Sequence, residues 1–216
     1  MKKIKKIKML IGYYKPSVIV TYLGIISGVI GITFGLSGKT IQALICLIIS
    51  GICDAFDGKI ARACTRTKEE KEFGIQIDSL ADTVSFVVLP TIIFYGMGLT
   101  KIYHIIIYTA YILAGVIRLA YFNVKANESK EEKLAFYSGL PVTSSAIIFP
   151  VFYILKFFLS APQFSTIYTM IMAFTALLFV LNFKLKKPDS FWAYIFLVGG
   201  IVLVYILYRF GFGIWK

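Results

Sequence analysis

The sequence predicts an all-α fold, a polytopic bundle of about seven transmembrane helices preceded by an N-terminal amphipathic helix at the membrane surface. Three observations carry this expectation. The 216 residues are 58% hydrophobic and only 16% charged, with a mean hydropathy of +0.80, far above that of a soluble domain. The apolar residues come in runs of roughly 20, the length that crosses a hydrocarbon core as a helix. The charged residues are gathered into short segments between those runs, as in the loops of a membrane protein. The alternating pattern of a transmembrane barrel is absent from the sequence.

Met1–Lys15 (MKKIKKIKMLIGYYK) sets Ile4, Ile7, Met9, Leu10 and Ile11 among lysines, as an interfacial amphipathic helix does; a plain basic tail that fixes topology is the alternative. Residues 1–16 are therefore expected to form a basic surface segment and 17–216 a single membrane domain. Met1–Lys8 has the charge of a signal-peptide leader, but no A-x-A-like cleavage site follows it. The expected spans are Val18–Leu36, Ile41–Ile60, Ile75–Met97, Ile102–Phe122, Val142–Ser160, Phe164–Phe183 and Phe191–Phe210. The second and third overlap an acidic motif, so their ends should project into the interface. The last runs into Gly211 and Gly213 and is either a span or re-entrant.

Charge placement orients the bundle. With the N-terminus inside, every one of the 23 basic residues except Lys39, Lys101, Lys156, Arg209 and Lys216 falls on the inner side, a positive-inside pattern. All 11 acidic residues fall there too, so any acid chemistry is expected to face the cytoplasm. The net charge of +12 suits anionic lipid headgroups better than nucleic acid, because it is confined to short loops. Cys46, Cys53 and Cys64 form no C-x-x-C pair and read as small apolar residues. His104, the only histidine, lies far from the acids and reads as a packed or interfacial residue.

The acids carry the chemistry. In DAFDGKIAR, Asp54, Asp57, Gly58, Ala61 and Arg62 follow the helical series that places residues on one face. In GIQIDSLAD, Gly74, Asp78 and Asp82 repeat that logic on the next helix. Four carboxylates meeting in one cleft repel unless cations neutralise them, and divalent metal held by oxygen ligands does this simply. Gly58, Ala61 and Gly74 remove bulk where a ligand must approach or helices must pack closely. Arg62 offers a planar donor fork for phosphate.

The pattern Asp54-x2-Asp57-Gly58-x2-Ala61-Arg62, then Gly74-x3-Asp78-x3-Asp82, resembles the signature of the CDP-alcohol phosphatidyltransferases. Eleven residues separate Arg62 from Gly74, more than in many members, and the excess falls in the polar stretch Thr65–Glu72, as a loop or an extra helical turn. The resemblance implies two divalent cations, Mg²⁺ or Mn²⁺. Asp54, Asp57 and Asp78 would hold one, and Asp82 would help hold the second while taking the proton of the attacking alcohol. It also implies a homodimer, and CDP-diacylglycerol bound along Gly58, Ala61, Arg62 and Gly74. Pro16-Ser17 and Thr21 resemble the family's N-terminal opening, which adds Thr21 to that set, although Gly24 stands where asparagine is common.

Further segments resemble the phosphatidylserine-forming branch of the same family. These are Phe73-Gly74-x3-Asp78-Ser79-Leu80-Ala81-Asp82 with Ser85-Phe86 and Pro90, then Arg118-Leu119-Ala120-Tyr121-Phe122-Asn123, then Gly139-Leu140-Pro141. They imply L-serine as the acceptor; glycerol 3-phosphate or an inositol derivative would use the same chemistry. Arg118 lies within the inner end of an apolar span, where an unpaired guanidinium is costly. It either pairs with a motif aspartate or receives the serine carboxylate. Asn123 either contacts serine or caps the helix end. A small cation transporter would instead place its carboxylates near the midplane, often within internal repeats. These lie at span ends, and no repeat is visible.

Overall fold

A computed structural model describes residues 11–128, 136–186 and 190–213. Most of the expected surface helix, residues 1–10, lies outside the described residues. Helix α1 (Pro16–Leu36) starts on a proline, whose missing N–H has no helical partner at that position anyway. A left-handed Gly38, φ +71°, turns the chain into α2 (Thr40–Ala63). The two helices pack side by side, tied by Ser27 Oγ donating to Cys46 O at 2.9 Å and Ser50 Oγ to Gly24 O at 3.0 Å.

Helix α3 (Lys68–Asp82) begins several residues before the apolar run that marked the third span. Its start is set by polar chemistry. Thr67 Oγ1 accepts from the Glu70 N–H at 3.2 Å and Glu70 Oε2 from the Thr67 N–H at 2.9 Å, a reciprocal cap. Residues Lys68–Glu72 are helical, so the extra length of the motif linker is largely additional helix. Directly after Asp82 the helix widens into a π-helical stretch, Thr83–Val88, before α4 (Leu89–Gly96). Phe86 O, in that stretch, accepts from Tyr111 Oη at 2.8 Å and from Ser145 Oγ at 3.2 Å. The irregular turn thereby becomes a docking point for two other helices.

Helix α5 (Ile102–Glu128) outruns its expected span at the far side of Phe122. The expected fifth span is one continuous helical run of mixed geometry, shorter than expected: a 3₁₀ turn Val142–Ser144, α6 (Ser145–Tyr153) with Pro150 inside it, and a second 3₁₀ turn Ile154–Phe157. Helices α7 (Ala161–Val180) and α8 (Ser190–Gly213) complete the bundle. The all-α expectation holds, with one short pair of strands added to the helices. Strands β1 (Phe136–Ser138) and β2 (Lys184–Lys186) pair antiparallel, Tyr137 opposite Leu185. Two connections that leave neighbouring helices at the same end satisfy their backbone groups on each other.

Among the described residues, five helical segments are long and apolar enough to cross a membrane: Val18–Leu36, Thr40–Ala63, Lys68–Gly96, Ile102–Lys125 and Ala161–Val180. Val142–Phe157 and Leu197–Arg209 are shorter apolar helices. The protein is an integral membrane protein. An aromatic cluster fills the core at the end remote from the aspartates. There Phe94 stacks on Tyr168 with ring centroids 4.2 Å apart and meets Phe149 edge-on at 5.2 Å. Where α1 crosses α4, a side chain on Gly96 would run into the Gly35 carbonyl, so this approach requires glycine.

Candidate active site

The last turns of α2 face α3 across a gap at the aspartate end of the bundle, where α3 packs on α1 and α5, and the motif carboxylates converge in that gap. Asp54, Asp78 and Asp82 each offer a carboxylate oxygen, and these atoms lie within 4.8 Å of one another. Asp82 is 8% exposed, and Asp54 and Asp78 are half-buried, so the cluster has a closed floor and an open side. Oxygen donors alone at this spacing suit a hard divalent cation such as Mg²⁺ or Mn²⁺ better than zinc or copper. The residues present therefore fit the metal that the motif implies.

Asp57 is placed differently from the other three. Its Oδ2 accepts a buried hydrogen bond from Thr21 Oγ1 at 2.9 Å, and its carboxyl also reaches the Asp78 side chain. Thr21, expected at the nucleotide, thus holds a motif aspartate in place from α1. Arg62 acts electrostatically on Asp57, and Arg118 on Asp82.

The small motif residues line the same region. Gly58, Ala61 and Gly74 are all half-buried. A Cβ on Gly58 would sit 3.4 Å from Arg62 Nη1, and one on Gly74 would sit 3.4 Å from Arg66 Nη1. Each of the two glycines is therefore the seat of a guanidinium. Arg66 lies outside the family motif. Its position four residues after Arg62 was the one available signal, and it fell in the stretch that departs from the family spacing.

Arg118 is 7% exposed, with its guanidinium over the Phe122 ring at 4.5 Å. It lines a cavity of about 270 Å³ between α5 and α7, with Tyr121, Phe179 and Asn182 among the other walls. Gly139, of the Gly139-Leu140-Pro141 turn, adopts φ +72°. A Cβ there would lie 3.1 Å from Arg118 Nη1 and 2.8 Å from Leu181 O, so the turn closes against the arginine. Asn123 does not cap its helix, because α5 continues to Glu128. Its Oδ1 accepts from Ser79 Oγ at 2.8 Å, which fastens α5 to the motif helix between Asp78 and Asp82. His104, as expected, is packed away from the acids, with Nδ1 accepting from the Lys101 N–H at 3.2 Å.

Residues 16–206 match the family described as CDP-alcohol phosphatidyltransferase. The chain is similar to the archaetidylserine synthase of Methanothermobacter thermautotrophicus, 31% identical over 133 residues, covering 61% of this chain and 54% of that protein. It is 33% identical over 143 residues to the CDP-diacylglycerol–serine O-phosphatidyltransferase of Saccharomyces cerevisiae, covering 62% of this chain and 51% of that one. For the Helicobacter pylori J99 protein of the same name the figures are 32% over 131 residues, 59% and 52%. The chain spans about half the length of the curated relatives it matches. With the match running from the first helix into the last, and the aspartates on facing helices, the chain belongs to the CDP-alcohol phosphatidyltransferase family.

Proposed function

We propose that this protein transfers the phosphatidyl group of CDP-diacylglycerol to the hydroxyl of L-serine, giving phosphatidylserine and CMP. The observation that carries the reading is the convergence of the Asp54, Asp78 and Asp82 carboxylates from two helices, within 4.8 Å of one another. The serine acceptor is supported by the relatives named for serine transfer and by Arg118, which is buried on α5 and lines a cavity against which the Gly139 turn closes.

Asp54, Asp57, Asp78 and Asp82 would hold two divalent cations, Mg²⁺ or Mn²⁺. Bound there, the cations neutralise the diphosphate and make CMP a better leaving group. The serine Oγ forms the new bond to the β-phosphorus, while the bond from that phosphorus to the oxygen bridging to the α-phosphate breaks. CMP departs with the bridging oxygen, and the serine hydroxyl proton passes to the Asp82 carboxylate. Gly58, Ala61 and Gly74 let the nucleotide lie against the helix backbones, and Arg62 binds phosphate. Thr21 serves that site by holding Asp57. Arg118 receives the serine carboxylate, and Asn123, bonded to Ser79, keeps that side of α5 in register with the motif.

The protein works as one membrane domain over residues 17–216, with the basic segment 1–16 on the membrane surface. Val142–Phe157 and Leu197–Arg209 complete seven spans, the active site faces the cytoplasm and the enzyme is a homodimer. The positive-inside pattern supports the orientation. Cysteines introduced at Lys68 and Lys130 should resist an impermeant thiol reagent in intact cells and react once the membrane is opened; labelling of both in intact cells would invert it. The test of activity is incubation of purified protein with CDP-diacylglycerol and competing alcohols, followed by lipid mass analysis. Phosphatidylserine should dominate. A product carrying glycerol phosphate or inositol instead would replace serine as the acceptor, and no lipid product would sink the transferase reading.

A further inference from the structure

We infer that Arg66 is a second phosphate-binding arginine, holding an oxygen of the nucleotide diphosphate beside Gly74. This deepens the proposed function and rests on it. Arg66 lies in the short connection between α2 and α3, directly before the capping residue Thr67. The backbone there is anchored. Thr67 and Glu70 bond reciprocally, and Lys15 Nζ lies 2.7 Å from Glu70 Oε1. From that anchor the side chain runs along α3 until Nη1 reaches the shelf left bare by Gly74, 3.4 Å from where a Cβ would be. Its Nε is buried and meets no acceptor among the described residues. Arginine stays protonated in proteins, so a buried guanidinium N–H without an acceptor carries a desolvation cost that an incoming anion relieves.

The position says which anion. Gly74 precedes Asp78 by one helical turn, as Gly58 follows Asp54 by one turn, and Arg62 lies over Gly58 as Arg66 lies over Gly74. Two arginines, Arg62 from the last turn of α2 and Arg66 from the α2–α3 connection, thus lie over the two glycines that sit one helical turn from the carboxylate cluster. A diphosphate reaching that cluster passes between two planar donor forks, each able to take phosphate oxygens in pairs. A phospholipid headgroup of the bilayer offers the same phosphate chemistry, so the test must separate the two sources.

The full chain in neutral detergent, with soluble CDP as the probe, makes the measurement. Arg66→Gln should weaken CDP binding and raise the KM for CDP-diacylglycerol by about 10- to 100-fold, the worth of one or two charge-assisted hydrogen bonds. The KM for serine and the unfolding temperature should hold, and Lys71→Gln, an exposed neighbour on α3, should match wild type. Arg66→Lys should recover only part of the loss, since lysine keeps the charge without the fork. Should the glutamine variant fail to fold, the lysine variant decides: CDP affinity equal to wild type would overturn the inference. A glutamine variant with wild-type CDP affinity would overturn it equally. If that variant lost only its binding to vesicles of anionic phospholipid, Arg66 would hold a bilayer phosphate and the nucleotide assignment would fall. Wild-type protein that binds no CDP would overturn the proposed function itself, and this inference with it.

Discussion

Phe94, Phe149 and Tyr168, at the end of the bundle remote from the aspartates, are each 0% exposed and interlock ring on ring. At the other end Asp54, Gly58, Ala61, Gly74 and Asp78 stay half-buried, and like charges are held together. The same helices build both ends. In a bilayer, helices gain little from apolar burial against each other, so association rests on close packing and interhelical hydrogen bonds. The ring cluster and the hydroxyls on Phe86 O supply those contacts. The aspartate end is left open and electrostatically strained, as a site that must admit a charged nucleotide requires. Stability and chemistry are therefore expected to separate along the bundle axis.

The sharpest way to break this contrast is to remove the divalent metal. Excess chelator should abolish turnover, and added Mg²⁺ or Mn²⁺ should restore it; full turnover after verified metal removal ends the cation-assisted reading. The same addition should raise the unfolding temperature of the wild type, because the cation relieves the repulsion among Asp54, Asp78 and Asp82. Next in size is Asp82→Asn, which keeps the shape of the side chain and removes an effective base. It should lower kcat about 10²- to 10⁴-fold with a smaller change in the KM for CDP-diacylglycerol. Unfolding should come no earlier than in wild type, since a buried like charge is gone. Near-normal kcat removes Asp82 from proton transfer.

Phe94→Ala tests the opposite end. The lost ring should cost about 3–5 kcal/mol of stability, read by reversible unfolding, while kcat per folded molecule stays close to wild type. A fall in kcat without loss of stability would mean that the two ends are coupled. The smallest effect belongs to Tyr111→Phe, which deletes one donor to Phe86 O and leaves the ring in place. It should cost about 1 kcal/mol, as a single buried hydrogen bond does. Because that carbonyl lies four residues past Asp82, a kcat loss larger than the stability loss would show that the π-helical stretch positions the aspartate.

The amino-acid sequence by itself determined the membrane character, the helical class and the face on which the aspartates lie. Those properties are local. Apolar run length follows bilayer thickness, and the i, i+3, i+4 spacing of Asp54, Asp57, Gly58, Ala61 and Arg62 follows helical geometry wherever the helix is placed. The start of α3 was legible in retrospect from Thr67 and Glu70, but hydropathy hid it, because its first turns are polar. The tertiary structure alone decided which carboxylates meet. It groups Asp78 and Asp82 with Asp54 and turns Asp57 toward Thr21 of α1. It also decided that Asn123 fastens Ser79, that the helix widens after Asp82, and that Arg66 reaches Gly74. Each of these depends on how one helix is rotated and crossed against another. That is set by the sum of many packing contacts along both helices, and no spacing within a single segment encodes it.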